Sequence, residues 1–220
     1  MSRRDKTIIY VVRHAESEGN AGILRKEHYE IGSGLTNRGK KQAKDLSRVL
    51  KDIVFDKIFS SDLARTQQTA EILALERKIE IETTSLIRER SFQNYVKSFA
   101  NKTEEELSQE IRKNLEKLDE KAKMQYKHSP SMESAQEGAT RLLNFIKEIA
   151  VAYQGKTILV VAHGNIMKSL LTHLEYAKYD ELPNGAIENT GFFVLESNGE
   201  KFNIMKTHGI TKSIGVIRKF

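Results

Sequence analysis

The chain has 220 residues, of which 39% are hydrophobic and 30% are charged, and its formal net charge is +6. It contains no cysteine, which excludes disulfides and thiolate zinc sites and gives no reason to expect secretion. The 36 Lys and Arg are interleaved with 30 Asp and Glu, which argues against a nucleic-acid-binding stripe, whereas the modest positive charge favours an anionic substrate.

The first predicted strand covers residues 8–12, an apolar run of mostly β-branched or aromatic side chains. This run is too short for a signal-peptide core or a membrane span, so we expect a cytoplasmic protein without membrane contact. The strand stops at Arg13 and His14, which puts polar groups at the carboxyl edge of a sheet, where open α/β folds bind ligands. By itself, His14 could equally be an ordinary loop histidine.

The next elements alternate between helix and strand. Thr36 is a plausible N-cap for a helix with one apolar face, and residues 54–59 form the next predicted strand. Asp62 can cap a second helix, which places Arg65 in the first turn of that helix. Without further information, Arg65 would be a surface residue. Residues 78–83 alternate in polarity and predict a strand with one exposed face.

The pattern changes in the middle of the chain, where we predict an insertion at about residues 92–132 over the edge of the sheet. Thr103 and Glu106 form a capping box, followed by one charged amphipathic helix that reaches Ala122. Ser134 and Glu137 form a second capping box that opens another helix.

The most hydrophobic strand follows at residues 156–162, which predicts a central place in the sheet, and it ends at His163. A further helix and a closing hairpin at residues 192–196 and 201–206 complete the pattern. The alternation of strands and helices predicts an α/β fold with a doubly wound, mostly parallel sheet flanked by helices. We expect a single domain over residues 1–220.

Two predicted strands therefore end in histidines, and if they are neighbours, both imidazoles meet in one crevice. Two histidines could form part of a metal site, but Arg13 adds a cation rather than a third metal ligand. Imidazoles with guanidiniums suit an oxyanion, most commonly phosphate. We expect no metal.

At this point the sequence resembles the histidine phosphatase superfamily, which contains cofactor-dependent phosphoglycerate mutases and their phosphatase relatives. The resemblance covers about residues 7–195 and rests on six motifs in the family's order. These motifs are RHAESEGN (13–20), GLTNRGKKQA (34–43), SSDLARTQQTAEIL (60–73), LIRERSF (86–92), ES (133–134) and VVAHGN (160–165).

The resemblance implies a role for each of five residues. His14 is implied as the nucleophile that forms a phosphohistidine, and His163 as a further donor to the phosphoryl group. Arg13 and Arg65 are implied as a clamp on the phosphoryl oxygens. Glu89 is implied as the proton donor to the leaving oxygen, although it could instead form a local ion pair with its arginine neighbours.

Five further positions match family residues that touch substrate: Asn20, Arg90, Phe92, Gly164 and Asn165. The helix that begins at Gly164 would add its positive end to the anion site. The resemblance implies no cofactor and a small phosphorylated metabolite as the substrate. It also allows a homodimer paired through a sheet edge.

The favoured function is a metal-independent phosphatase that hydrolyses phosphomonoesters. The first alternative is a phosphoglycerate mutase, which generally has a longer insertion with more basic residues than the acid-rich one predicted here. The second alternative is a catalytically silent module that binds a phosphorylated partner.

Overall fold

The computed structural model describes residues 6–23, 32–75, 77–90 and 104–213. The strands are β1 (Thr7–Arg13), β2 (Lys57–Ser61), β3 (Ile81–Thr84), β4 (Thr157–Ala162), β5 (Ile187–Ser197) and β6 (Phe202–Ile210). The α-helices are α1 (Asn37–Val49), α2 (Ala64–Ala74), α3 (Glu104–Leu115), α4 (Glu120–Gln125), α5 (Ala135–Ala152) and α6 (Gly164–His173). Single 3₁₀ turns lie at Ser85–Ile87 and Tyr179–Glu181.

The strands form one sheet in the order β3-β2-β4-β1-β5-β6. The first four in this order are parallel, whereas β5 and β6 pair antiparallel at the other side. β4 lies between β2 and β1, which confirms the central place predicted for the most hydrophobic strand. The predicted α/β fold with a mostly parallel sheet is therefore confirmed.

Helices cover both faces of the sheet because successive side chains of a strand point to opposite sides. On β4, Ile158 and Val160 pack into a core cluster with side chains of α5 and α6. Leu159 and Val161 pack into a second cluster with side chains of α1 and α2. The central strand β4 is thus buried on both faces, as in a doubly wound arrangement.

Two predicted helix starts are confirmed by their caps. The Thr36 side chain accepts a hydrogen bond of 2.9 Å from the backbone N–H of Gly39. Ser134 and Glu137 form the reciprocal capping box at the start of α5. These caps satisfy N–H groups that have no partner within their own helices.

The predicted cap at Asp62 is wrong. α2 begins at Ala64, and its N-cap residue, Leu63, provides no side-chain hydrogen bond. The carboxylate of Asp62 instead accepts two hydrogen bonds from Arg88, at 2.6 and 2.7 Å. A bidentate ion pair with a distant residue has replaced the local cap that the sequence favours.

The predicted insertion contains two helices where the sequence predicted one. α3 ends at Leu115, and α4 begins after Asp119, whose side chain caps it by accepting from the N–H of Ala122. The capping residue Thr103 and the first part of the insertion lie outside the described residues. α4 packs against α5 and against the turn at Tyr179–Glu181.

The remaining strands differ from the prediction mainly at their ends. β2 begins at Lys57 rather than at residue 54, where Val54 is 82% exposed. The hairpin strands β5 and β6 are longer than predicted. Within the residues that the structure describes, no helix is both long and apolar enough to cross a bilayer.

Gly39 provides a test of how closely α1 approaches the loop after β1. A Cβ atom at Gly39 would lie 2.0 Å from the backbone oxygen of Glu16. We expect Gly39→Ala to destabilise the protein by about 2–3 kcal/mol, because backbone atoms cannot yield as a flexible side chain can.

Urea unfolding measures this effect, with Lys40→Ala on the exposed face of the same helix as control. The control should change the free energy of unfolding by less than about 0.5 kcal/mol. A stabilised Gly39→Ala variant, as helix propensity alone predicts, would mean that the close approach is not real.

Candidate active site

The two predicted histidines lie side by side at the carboxyl ends of neighbouring strands. β1 and β4 pair in parallel with Arg13 opposite Ala162, and the N–H of His14 donates to the carbonyl of Ala162 at 3.0 Å. The ring centroids of His14 and His163 are 5.2 Å apart. The expectation that the two imidazoles meet in one crevice is therefore confirmed.

Arg65 joins the two imidazoles from the first turn of α2. Its Nε lies 3.1 Å from Nε2 of His14, and its Nη2 lies 3.1 Å from Nδ1 of His163. This position contradicts the alternative that Arg65 is a surface residue. Gly32 lies against the guanidinium, and a Cβ atom there would be 2.9 Å from Nη1.

The contacts of Arg65 assign the tautomer of each imidazole, because a guanidinium only donates hydrogen bonds. Nε2 of His14 accepts, so its proton is on Nδ1, which donates to the carbonyl of Ala15 at 2.7 Å. Nδ1 of His163 accepts, so its proton is on Nε2. The lone pair of His14 therefore points towards Arg65 and away from the backbone.

Both imidazoles are held in the neutral form. Burial is the largest cause, followed by the charge of Arg65, and together they hold the pKa of His14 well below its usual range. The same causes lower the pKa of His163, with His14 and Arg13 adding to the effect. The two guanidiniums thus disfavour the imidazolium form of His14, and burial disfavours it more.

Arg13 reaches the crevice from the last position of β1. Its Nη1 donates to the carbonyl of Ile187 at 2.6 Å. Its guanidinium packs on Gly164, where a Cβ atom would lie 3.1 Å from Nε. A side chain at Gly164 would therefore require Arg13 to shift by a few tenths of an ångström.

Two nitrogens in this group are buried without a hydrogen-bond partner in the described part of the chain. They are Nε of Arg13 and Nε2 of His163. Both are donors, since the proton of His163 is on Nε2. Buried donors without acceptors are costly in a folded protein, so these two favour an acceptor such as an anion at this place.

Glu89 follows the 3₁₀ turn after β3 and lies against the N-terminus of α6. Its carboxylate accepts from the backbone N–H groups of Asn165 at 3.0 Å, Ile166 at 2.9 Å and Arg90 at 2.9 Å. Its charge also raises the pKa values of the Arg13 and Arg65 guanidiniums against the effect of burial. The start of α6 was expected to face the anion, but two of its N–H groups bind Glu89 instead.

Arg88 was one candidate for an ion pair with Glu89. It forms its pair with Asp62, 2.6 Å from its Nε. Nη2 of Arg90 donates to the carbonyl of Glu133 at 2.9 Å.

These side chains surround a cavity of about 380 Å³. Four of the five predicted catalytic residues line it. The fifth, His163, is not in the lining but contacts Arg65, which is. Asn20, Gly164 and Asn165 of the predicted substrate-binding set also line it. The full lining is Arg13, His14, Ser17, Gly19, Asn20, Ser33, Arg65, Glu89, Gly164, Asn165, Lys168, Pro183, Asn184, Gly185, Ala186 and Ile187.

Two predicted substrate-binding residues are not in this lining. Arg90 is buried beside Glu133 and is not among the residues that line the cavity. Phe92 lies outside the described residues.

Sequence reasoning missed four polar residues of the lining, Ser17, Ser33, Lys168 and Asn184, and it also missed Asn189, which contacts Asn20. Lys168 lines it, one helical turn after Asn165, and continuing the helical period from Gly164 would have placed it on the same face. Asn189 donates to the backbone carbonyl of His14 at 3.1 Å and to the side chain of Asn20 at 3.3 Å. No motif marks Asn189, because its contacts depend on the pairing of β5 with β1.

A metal site was the open alternative for two clustered histidines. Among the residues that the structure describes, no three or more His, Cys, Asp or Glu side chains are grouped so that they could hold a metal ion. The groups beside the two imidazoles are guanidiniums, which repel cations and attract anions.

Two curated relatives match most of the chain. Phosphoserine phosphatase 1 of Hydrogenobacter thermophilus is 26% identical over 207 residues, which are 94% of this chain and 94% of that protein. A probable phosphoglycerate mutase, GpmB of Shigella dysenteriae, is 30% identical over 164 residues, which are 74% of this chain and 73% of that protein.

A solved structure, YhfR of Bacillus stearothermophilus, shares the fold with a TM-score of 0.73 and 24% identity, over 93% of this chain and 98% of that one. Residues 9–208 match the family model described as the histidine phosphatase superfamily, branch 1. That range includes His14, His163, Arg13, Arg65 and Glu89. The chain therefore belongs to the histidine phosphatase superfamily.

Proposed function

We propose that this protein is a metal-independent phosphatase that hydrolyses small phosphomonoesters through a phosphohistidine on His14. The observation that carries the proposal is the Arg65 guanidinium, bonded at 3.1 Å to both imidazoles of the cavity. Together with burial, Arg65 keeps His14 neutral, and its contact selects the tautomer whose lone pair is on Nε2 and points towards Arg65. A neutral imidazole with a directed lone pair is the form that attacks phosphorus.

In the first step, Nε2 of His14 forms a bond to phosphorus while the bond to the leaving oxygen breaks. The N–H groups of Arg65 now bonded to the imidazoles would turn to phosphoryl oxygens, joined by Arg13 and by Nε2 of His163. These donors stabilise the charge that spreads over those oxygens in the transition state. The carbonyl of Ala15 supports the positive charge on the phosphorylated ring through Nδ1.

Glu89 moves the protons. It gives a proton to the leaving alcohol in the first step, and in the second it takes a proton from the water that attacks phosphorus and breaks the N–P bond. A phosphate dianion beside Glu89 favours its protonated form by like-charge repulsion. Free phosphate and neutral His14 are then restored.

The remaining assignments follow from the cavity. Asn20, Gly164 and Asn165 would contact the substrate from its wall, whereas Arg90 would act through Glu133 and the segment that carries Glu89. The five proposed catalytic residues are His14, Glu89, His163, Arg13 and Arg65.

We also propose that residues 1–220 form a single domain.

A mutase is the second candidate, supported by the relative that is named a probable phosphoglycerate mutase. Both reactions use the same phosphohistidine. They differ in whether water or a second hydroxyl group takes the phosphoryl group.

One experiment tests the proposal and separates the candidates. Purified protein in EDTA is given 4-nitrophenyl phosphate and, separately, 3-phosphoglycerate with a trace of 2,3-bisphosphoglycerate. We expect 4-nitrophenol release, and in the second assay inorganic phosphate rather than 2-phosphoglycerate. Formation of 2-phosphoglycerate without net phosphate release would identify a mutase, and no turnover with either compound would favour a silent binding module.

A further inference from the structure

Lys168 is a cation of the cavity that the proposed reaction does not use. It lies on α6 and shares the cavity-lining face with Gly164 and Asn165. The carboxylate of Glu89 binds the N–H groups in the first turn of the same helix. Lys168 therefore follows, along α6, the N–H groups that bind Glu89, which is the residue proposed to protonate the leaving oxygen.

No described carboxylate neutralises Lys168 by direct contact. Its Nζ lies 4.1 Å from the ring centroid of Tyr179, and no hydrogen bond or ion pair joins it to another described residue. Two carboxylates are near enough to influence it, but each has another partner. Asp180 is bonded to Lys123, and Glu120 accepts from the N–H of Tyr179 at 2.6 Å.

The cavity has one more positive charge than a phosphate monoester would neutralise, which favours a second anionic group. Arg13 and Arg65 would be matched by the two charges of a phosphate monoester. Lys168 is the other cationic side chain among the described residues of the lining, and Glu89 must carry a proton when it acts as an acid. A substrate with a neutral alcohol part would leave the Lys168 ammonium half-buried and unmatched.

Resting on the phosphatase function proposed above, we propose that Lys168 determines specificity by binding a carboxylate on the alcohol part of the substrate. A second phosphate is the less suitable partner, because it carries a charge of about −1.5 to −2, whereas the single charge of a carboxylate matches the one ammonium of Lys168. Lys168 offers one compact ammonium held on an aromatic face. The substrate class is thus a phosphorylated hydroxy acid.

Two compounds that differ only in this group test the proposal. 3-Phosphoglycerate carries a carboxylate where glycerol 3-phosphate carries a hydroxymethyl group, and both release a primary alcohol. We expect kcat/KM for phosphate release to be about 10- to 100-fold higher for 3-phosphoglycerate, as for a hydrogen bond between charged groups.

Lys168→Met should reduce this preference about tenfold or more, mainly by lowering kcat/KM for 3-phosphoglycerate. Lys168→Arg keeps a positive charge and should retain most of the preference. Lys147→Met, the same substitution at an exposed site of α5 outside the cavity, is the control and should leave the preference as in the wild type.

The pH dependence of the wild-type protein gives a readout that needs no variant. Burial, followed by the charge of Arg90, lowers the pKa of Lys168 to about 8, against the opposite effect of Asp180 and Glu120. Above this pH the ammonium loses its charge, so the preference should fall between about pH 7 and about pH 9.5, where both substrates stay fully ionised. Lys168→Arg should keep its preference, since a guanidinium stays charged there.

The outcomes separate this inference from the proposed function. Hydrolysis of 4-nitrophenyl phosphate without a preference for 3-phosphoglycerate would overturn the role of Lys168 and leave the phosphatase intact. So would a preference that survives in Lys168→Met or stays constant with pH. A wild-type protein that hydrolyses no phosphomonoester would instead overturn the proposed function, and this inference with it.

Discussion

His14→Ala should abolish turnover, with kcat lowered by at least about 10⁴, because the substitution removes the atom that bonds to phosphorus. The loss should be nearly as large on 4-nitrophenyl phosphate as on alkyl phosphates, since both need the same nucleophile. Rapid quenching of the wild-type protein with ³²P-labelled substrate should also trap a protein-bound phosphate that is labile to acid and stable to base. The variant should show none.

A matched control is His173→Ala at the end of α6, where the imidazole contacts Gln136 and does not line the cavity. It should retain both turnover and labelling. Labelling that persists in His14→Ala would place the phosphoryl group on another residue. A wild-type protein that turns over substrate but never carries phosphate would mean that water attacks phosphorus directly.

Glu89→Gln should reveal the proton donor through its dependence on the leaving group. For glycerol 3-phosphate we expect kcat/KM to fall by about 10²–10⁴, the usual contribution of a general acid. For 4-nitrophenyl phosphate the loss should be about tenfold or less, because 4-nitrophenolate leaves without a proton. kcat/KM is the right quantity, since it covers steps only up to phosphoryl transfer to His14.

The second step gives a separate signal in the same variant. With Glu89→Gln and 4-nitrophenyl phosphate, the phosphorylated protein should accumulate because no carboxylate activates the water. Glu137→Gln is the control, since it changes a carboxylate that also bonds to backbone at a helix start, but on α5 outside the cavity. Equal losses on both substrates would show that another group donates the proton.

The centre of the site could be predicted because it depends on simple rules. Two hydrophobic strands ending in His14 and His163 meet when they are parallel neighbours, and the hydrophobicity of residues 156–162 predicted the central strand. Arg65 was predicted from the resemblance alone, because its place in a first helical turn by itself indicated a surface residue. Its bridging contacts with both imidazoles follow from the packing of α2 beside β2.

The contacts that could not be predicted join residues far apart in the chain. Glu89 bonds to N–H groups 76 and 77 positions later, so no local pattern reveals that it occupies the start of α6. The cap predicted at Asp62 was wrong for the same reason, since Arg88 lies 26 positions away. Lys168 could have been found, because its spacing from Asn165 is that of one helical turn.

Helix α6 positions several parts of the site along a single secondary-structure element. His163 is its cap residue, the N–H groups bonded to Glu89 belong to its first turn, and Lys168 follows at the next turn. An α-helix rises about 1.5 Å per residue, so the axial distance from residue 164, the first of the helix, to residue 168 is about 6 Å. If Lys168 binds a carboxylate of the substrate as proposed, this spacing would favour substrates in which a particular number of bonds separates the carboxylate from phosphorus.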